Sequence, residues 1–203
     1  MAEVYSKEFY LSELKRSNLP LKKLSITPVI PKGDTEAYNK VISIGKDIVN
    51  FVRDGKNLLI WSNYPGTGKT LMATKIAQNY IHERNVPERA TDCAFFINVG
   101  ELLFYKKSAI DEISYKEKVR YCEEQIKKCK LVVWDDFGTK ELSEYDREYL
   151  IVLLNFRLNE LHKSNIYTTN LDGAQMFEIL GARLASRLFE DTEVIEFKGG
   201  DKR

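Results

Sequence analysis

The chain has 203 residues, 43% of them hydrophobic and 30% charged, with 31 Lys plus Arg against 30 Asp plus Glu for a net charge of +1. That length suits one domain with a small appendage, large enough to bury a core of its own. The composition excludes a basic tail protein, no apolar run approaches the roughly 20 residues of a membrane span, and the first residues lack a secretion-signal layout.

In chain order, residues 6–16 read as a short helix with Phe9, Tyr10, Leu11 and Leu14 on one stripe. Pro20, Pro28, Pro31 and Gly33 then punctuate an irregular stretch. Residues 1–33 are too few to fold alone and are expected to pack on the main domain, 34–203, or to dock on a partner. Asp34 is placed to cap a helix that carries Tyr38, Val41, Ile42, Ile48, Val49 and Val52 and stops at Gly55. Five apolar runs read as strands: 57–62, 93–98, 130–135, 165–169 and 192–197. Helical patterns fill 69–84, 101–108, 115–128, 143–162, 174–180 and 182–189. Ser143 with Asp146 makes an approximate capping box for the longest of them. Cys93, Cys122 and Cys129 form neither a C-x-x-C pair nor an even set, which fits a reducing cytoplasm. Strands apolar on both faces and joined by helices imply an α/β fold with a mostly parallel sheet, whose ligands bind at the C-terminal strand ends.

The first strand end is Asn63-Tyr64-Pro65-Gly66-Thr67-Gly68-Lys69-Thr70-Leu71. It nearly matches the phosphate-cradling pattern G-x-x-x-x-G-K-[ST], with Asn63 at the first glycine. Gly66 and Gly68 let successive N–H groups face phosphates, Lys69 reaches the β- and γ-phosphates, and the Thr70 hydroxyl completes a Mg²⁺ shell. The third strand ends in Asp135-Asp136, placing Asp135 to hold Mg²⁺ and Asp136 to polarise an attacking water; the same pair also suits a turn. Thr168-Thr169-Asn170 ends the fourth, with Asn170 either near the γ-phosphate or in a simple turn. Arg183 and Arg187 share one helical face. They are offered to a neighbouring subunit's phosphate, or they are solvated and paired with Glu178 or Glu190.

Four segments, YPGTGKT, VVWDDFGTKELSEYDREYLIVLLNFRLNE, IYTTNL and GARLASRLFEDTEVIEFKG, fall in the order of a known family. The chain resembles the AAA+ ATPases of the bacterial helicase-loader group, the DnaC and DnaI type, including their phage-encoded relatives. The resemblance implies a P-loop NTPase with a five-stranded parallel sheet of order 5-1-4-3-2, ATP and Mg²⁺ as ligands, and a cytoplasmic site of action. It puts the sensor-1 role on Asn170 and the arginine-finger role on Arg187, with Arg183 supporting or alternative. It implies self-oligomerisation through an Arg187-to-nucleotide contact, a replicative hexameric helicase as partner, and single-stranded DNA contacts near Phe104, Tyr105, Lys106 and Lys107. Those four equally suit a core aromatic with solvated lysines.

The sequence departs from the family at Asn63 and at Asp136, where Glu is usual; the shorter carboxylate would slow hydrolysis and spare binding. Only residues 1–33 are available for the helicase-gripping task of the loaders' N-terminal domain, and Arg203 is the sole nearby sensor-2 candidate. The alternatives are a transposition helper of the IstB type and a weakly hydrolysing, nucleotide-gated module that binds a host loader or helicase.

Overall fold

Strands that are apolar on successive residues must be covered on both faces, and the chain meets this demand with two separate cores. The structure, a computed structural model, describes residues 7–30, 33–83, 94–138, 141–160 and 162–199. The strands β1 (Asn57–Trp61), β2 (Ala94–Asn98), β3 (Leu131–Phe137), β4 (Ser164–Thr169) and β5 (Thr192–Glu196) form one parallel sheet ordered β2-β3-β4-β1-β5. This is the expected order read from the opposite edge.

Alternation along the strands divides the cores. Leu58, Ile60, Leu131 and Val133 point into one, Leu59, Val132, Trp134 and Tyr167 into the other. The first core also takes Leu14 from α1 (Lys7–Arg16), Tyr38 and Val41 from α3 (Thr35–Lys46), Ile48 and Phe51 from α4 (Ile48–Arg53), and Met72 and Ile76 from α5 (Lys69–Glu83). The short α2 (Leu21–Leu24) lies against α5. The second core is closed by α6 (Val99–Ser108), α7 (Ile113–Lys128), α8 (Glu144–Asn155), α9 (Gly173–Leu180) and α10 (Ala182–Phe189). Just past α1, the Ser17 carbonyl accepts the Phe96 N–H at 2.8 Å, and the Asn18 amide donates to the Phe96 carbonyl at 2.9 Å. Residues 17 and 18 thus occupy hydrogen-bonding groups on the outer edge of β2. Among the described residues, no helix is long and apolar enough to cross a membrane. Cys93 and Arg203 lie outside the described residues.

The stretch after Pro20, read as irregular, contains the helical turn α2, and three longer elements also differ from the sequence reading. The helix expected from Asp34 to Gly55 breaks at Asp47, whose N–H bonds to both the Ser43 and Ile44 carbonyls while its carboxylate accepts the Asn50 amide. The strand expected to end at Asp135 continues to Phe137 through a bulge, with Asp136 in the left-handed region at φ 59°. The helix from Ser143 keeps its capping box but winds into a π-turn at Phe156–Glu160. That turn carries Arg157 fully inside the protein.

Arg157 makes five hydrogen bonds, matching its five N–H groups. Nε donates to Asn165 Oδ1 at 2.6 Å, Nη1 to the Ile126 and Cys129 carbonyls at 2.6 and 2.9 Å, and Nη2 to the Lys130 and Ser164 carbonyls at 3.3 and 2.5 Å. Asn165 in turn accepts the Trp134 indole N–H, and its amide and backbone N–H both donate to Asn57 Oδ1. One guanidinium and two amides therefore bind together the starting ends of β1, β3 and β4. Lysine has no planar fork with which to reach these acceptors. Arg157→Lys is expected to lower the unfolding free energy by about 3 kcal/mol in urea titration; a loss under about 1 kcal/mol would show that the strand ends hold without it.

Candidate functional site

The opposite, C-terminal ends of the same strands surround a cavity of about 490 Å³. Its floor is residues 65–72, the turn between β1 and α5 and the first turn of that helix. Asp136 and Asn170 come from the ends of β3 and β4, and Lys23, residues 26–29 and Tyr38 form the remaining wall.

The turn is held from behind. Gly66 and Gly68 have φ of 73° and 93°, and a Cβ on Gly68 would stand 2.7 Å from the Tyr38 hydroxyl, so only glycine fits there. That hydroxyl donates to the Thr67 carbonyl at 2.5 Å, while the Tyr38 ring stacks on Phe197 at 4.2 Å. Burial, with the charge of Asp34 added, pushes the Tyr38 phenol up to about 12, so it remains a donor. Lys69 is 5% exposed and points back into its own loop, donating to the Tyr64 carbonyl at 3.1 Å and Thr67 Oγ1 at 3.3 Å. Burial pulls its ammonium down to about 8, against the opposing pull of Asp136 and Asp135. A phosphate oxygen entering the loop would replace neutral acceptors with charged ones.

The two carboxylates at the end of β3 stand in different surroundings, joined by Thr168. Its hydroxyl donates to Asp135 Oδ1 at 2.6 Å and accepts the Asp136 N–H at 3.0 Å. Burial raises the Asp135 carboxyl and the neighbouring Asp136 charge adds to this. Hydrogen bonds from the Thr168 and Thr70 hydroxyls and the charge of Lys23 pull it down. Asp136 is half-buried, and its Oδ2 accepts the Asn98 amide at 3.4 Å. The same Asn98 caps α6 by accepting the Glu101 N–H at 3.1 Å, so the N-terminus of α6 is tied to this carboxylate. Asn170 lines the cavity, and its Oδ1 is buried with no hydrogen-bond partner in the protein.

Among the described residues, no group of three or more His, Cys, Asp or Glu could cage a metal. A hydroxyl and a carboxylate in contact, Thr70 and Asp135, fit a hard cation that keeps most of its shell as water and phosphate oxygen, as Mg²⁺ does. Both groups stand beside the phosphate-binding loop.

The remaining residues singled out in the sequence lie elsewhere. Asn63 and Tyr64 are exposed at the start of the turn. Arg183 and Arg187 on α10 are off the cavity. Arg183 reaches both oxygens of Glu148 on α8 at 3.0 and 3.2 Å, and Arg187 pairs with Glu190. On α6, Phe104 is 53% exposed and forms a ring cluster with Tyr105 and Tyr115. Lys106 sits over the Tyr149 ring at 3.0 Å, and Lys107 pairs with Asp146 at 3.2 Å. Sequence reasoning did not single out Tyr38, Lys23 or the bridging part of Thr168. Tyr38 carries the helical spacing of a core residue, and that spacing is the only signal it offers.

Over residues 35–203 the sequence matches the family described as IstB-like ATP binding protein. The chain belongs to that family. Sequence comparison with curated proteins gives no match. Among solved structures, this IstB-like chain superposes on the DnaC helicase loader with a TM-score of 0.66 at 21% identity, covering 95% of this chain and 100% of that one. A putative primosome component from Streptococcus pyogenes serotype M3 gives 0.70 at 18%, covering 98% and 100%. DnaA from Aquifex aeolicus bound to AMPPCP gives 0.62 at 17%, covering 84% and 48%. At these identities the likeness shows the fold alone, one shared with P-loop AAA+ neighbours, and the family description gives ATP as the ligand.

The protonated form of Lys69 is the one that holds phosphate. Affinity is therefore level below its pKa and falls as pH rises through it. Metal-free ATP binding, followed by calorimetry, is expected to weaken about eightfold between about pH 7.5 and about pH 9, and Lys69→Ala to bind weakly with no such slope. An unchanged slope in the variant would assign the titration to another group.

Proposed function

We propose that the chain is an ATP-hydrolysing helicase loader that acts in DNA replication in the cytoplasm, engaging a ring-shaped replicative helicase and single-stranded DNA. The observation that carries the ATPase part is the ring of groups about one cavity: the Lys69 loop, the Thr70–Asp135 pair, the separately held Asp136 and the unpartnered Asn170 oxygen. The AMPPCP bound by a protein of the same fold supports placing the triphosphate there.

In this reading residues 66–70 hold the phosphates, and Thr70 with Asp135 holds Mg²⁺, which when bound offsets charge on the β- and γ-phosphates. Asp136 accepts a hydrogen bond from water and takes its proton as the oxygen adds to the γ-phosphorus and the bond to ADP breaks. Asn170 orients that water or the γ-phosphate. The Asp135 carboxyl is buried and held by hydroxyls, whereas Asp136 is half-exposed, so the two serve different tasks despite identical chemistry. The shorter reach of Asp136 makes turnover slow. Arg187 acts in trans on a neighbouring copy and must first release Glu190. Arg183, paired with Glu148, supports it.

Residues 34–203 form the ATPase domain and residues 1–33 the element that touches the helicase. The likeness to the DnaC helicase loader over 95% of this chain supports the helicase as partner. Exposed Phe104 with Tyr105 and Tyr115 offers stacking faces for unpaired bases, and Lys118, 4.9 Å from the Tyr115 ring centre, adds positive charge. The Asn98 link from α6 to Asp136 supports coupling of that face to hydrolysis. A second reading is a transposition helper of the IstB type, which the match to the IstB-like family supports.

Asp136→Asn is expected to lower ATP turnover about 100-fold and leave ATP affinity within about twofold. Arg187→Ala is expected to lose turnover and regain part of it when mixed with Lys69→Ala, because one mixed interface then keeps both intact groups; no regain would remove the trans role. Capture from the protein's own host with ATP is expected to recover a hexameric helicase. Recovery of a transposase would select the second reading.

A further inference from the structure

We propose that Lys23, carried on α2 ahead of the family-matched region, is a second polyphosphate-contacting cation, meeting the γ-phosphate end of bound ATP in cis. The inference rests on the reading that the 490 Å³ cavity takes ATP.

Lys23 lines the same cavity as Lys69, Asp136 and Asn170. It is half-buried, yet among the described residues no ion pair or hydrogen bond engages its ammonium group. A lysine drawn part-way out of water without a partner loses hydration and gains nothing unless an anion comes to it. The cavity that it lines also holds Asp136 and Asn170, the groups assigned above to the attacking water and the γ-phosphate. The apolar side chains of Ile26 and Val29, farther along the same segment, line another part of the wall and suit a base or ribose.

The backbone that presents Lys23 is anchored. Its N–H bonds to the Pro20 carbonyl at 2.8 Å, and the next carbonyl, Leu24, accepts Lys75 Nζ from α5 at 2.5 Å. Lys75 and the phosphate-binding Lys69 and Thr70 lie on one helix, so α2 is fixed to the element that carries the loop. Charge balance points the same way. Lys69 is the only other cation lining the described cavity wall, and it faces the two carboxylates of β3. A magnesium-bound triphosphate adds further negative charge, which one lysine and a helix N-terminus do not offset.

The test is calorimetric titration of the full chain with ATP and with ADP. Lys23→Gln is expected to weaken ATP about tenfold and leave ADP within about twofold, and Lys23→Arg to keep ATP within about threefold. A lysine that merely steadied the empty fold would shift the melting temperature and move both nucleotides together. Equal change for ATP and ADP, or no change, overturns the proposal while Lys69→Ala still weakens ATP binding. If Lys69→Ala also binds ATP normally, the cavity is not the ATP site and both readings fall.

Discussion

A guanidinium buried without access to water must find an acceptor for every N–H, and Arg157 finds them at the end of α7 and where β3 and β4 begin. Those acceptors are backbone carbonyls and one amide, so satisfying the charge fixes backbone positions. With Asn165 and Asn57 completing the network, β1, β3 and β4 are locked in register at their N-terminal ends. Parallel strands carry that register to their other ends, where Trp61 faces Thr169 and Asn98 faces Asp135. A slip of one residue would turn Asp135 and Thr168 to opposite faces of the sheet. The chemistry at one end thus depends on an arginine about a strand's length away that touches no part of the cavity.

At the functional end, Thr168 makes two adjacent aspartates inequivalent. It donates to one carboxylate and receives the backbone N–H of the next residue, which is possible because the chain bulges and Asp136 turns left-handed. Aspartate enters that region more readily than longer carboxylates do, so the shorter side chain at this position suits its backbone. The loop across the cavity is folded onto its own lysine. Ligand binding then exchanges two neutral acceptors of the ammonium for charged ones without building the loop anew.

Much of this was legible in the sequence. The strands and the phosphate loop follow from apolar runs and glycines, because those features constrain the backbone directly, while the sheet order comes from the family resemblance. Arg157 was not legible: in FRLNE it reads as a solvated residue near a helix end, and only the π-turn brings it inside. Asp47 interrupts a helix whose apolar spacing continues unbroken across it, so periodicity passes over the break. The two aspartates of β3 resemble a strand terminus, since polar residues usually end an apolar run, yet the bulge keeps Phe137 paired with Thr169. Lys23 lies in an LKKL stretch with nothing to distinguish it from Lys22; only the tertiary path of α2 does.

The short contact between residues 17–18 and Phe96 bears on how this protein can be dissected. Sheet edges left with open N–H and C=O groups invite pairing with other chains, and here the β2 edge is partly occupied by Ser17 and Asn18 while Leu14 and Leu19 fill the core beneath. A fragment trimmed to the family-matched region would bare that edge together with part of its apolar floor. Clumping or lost activity in such a fragment would report a wounded sheet, and could be mistaken for the loss of a docking arm.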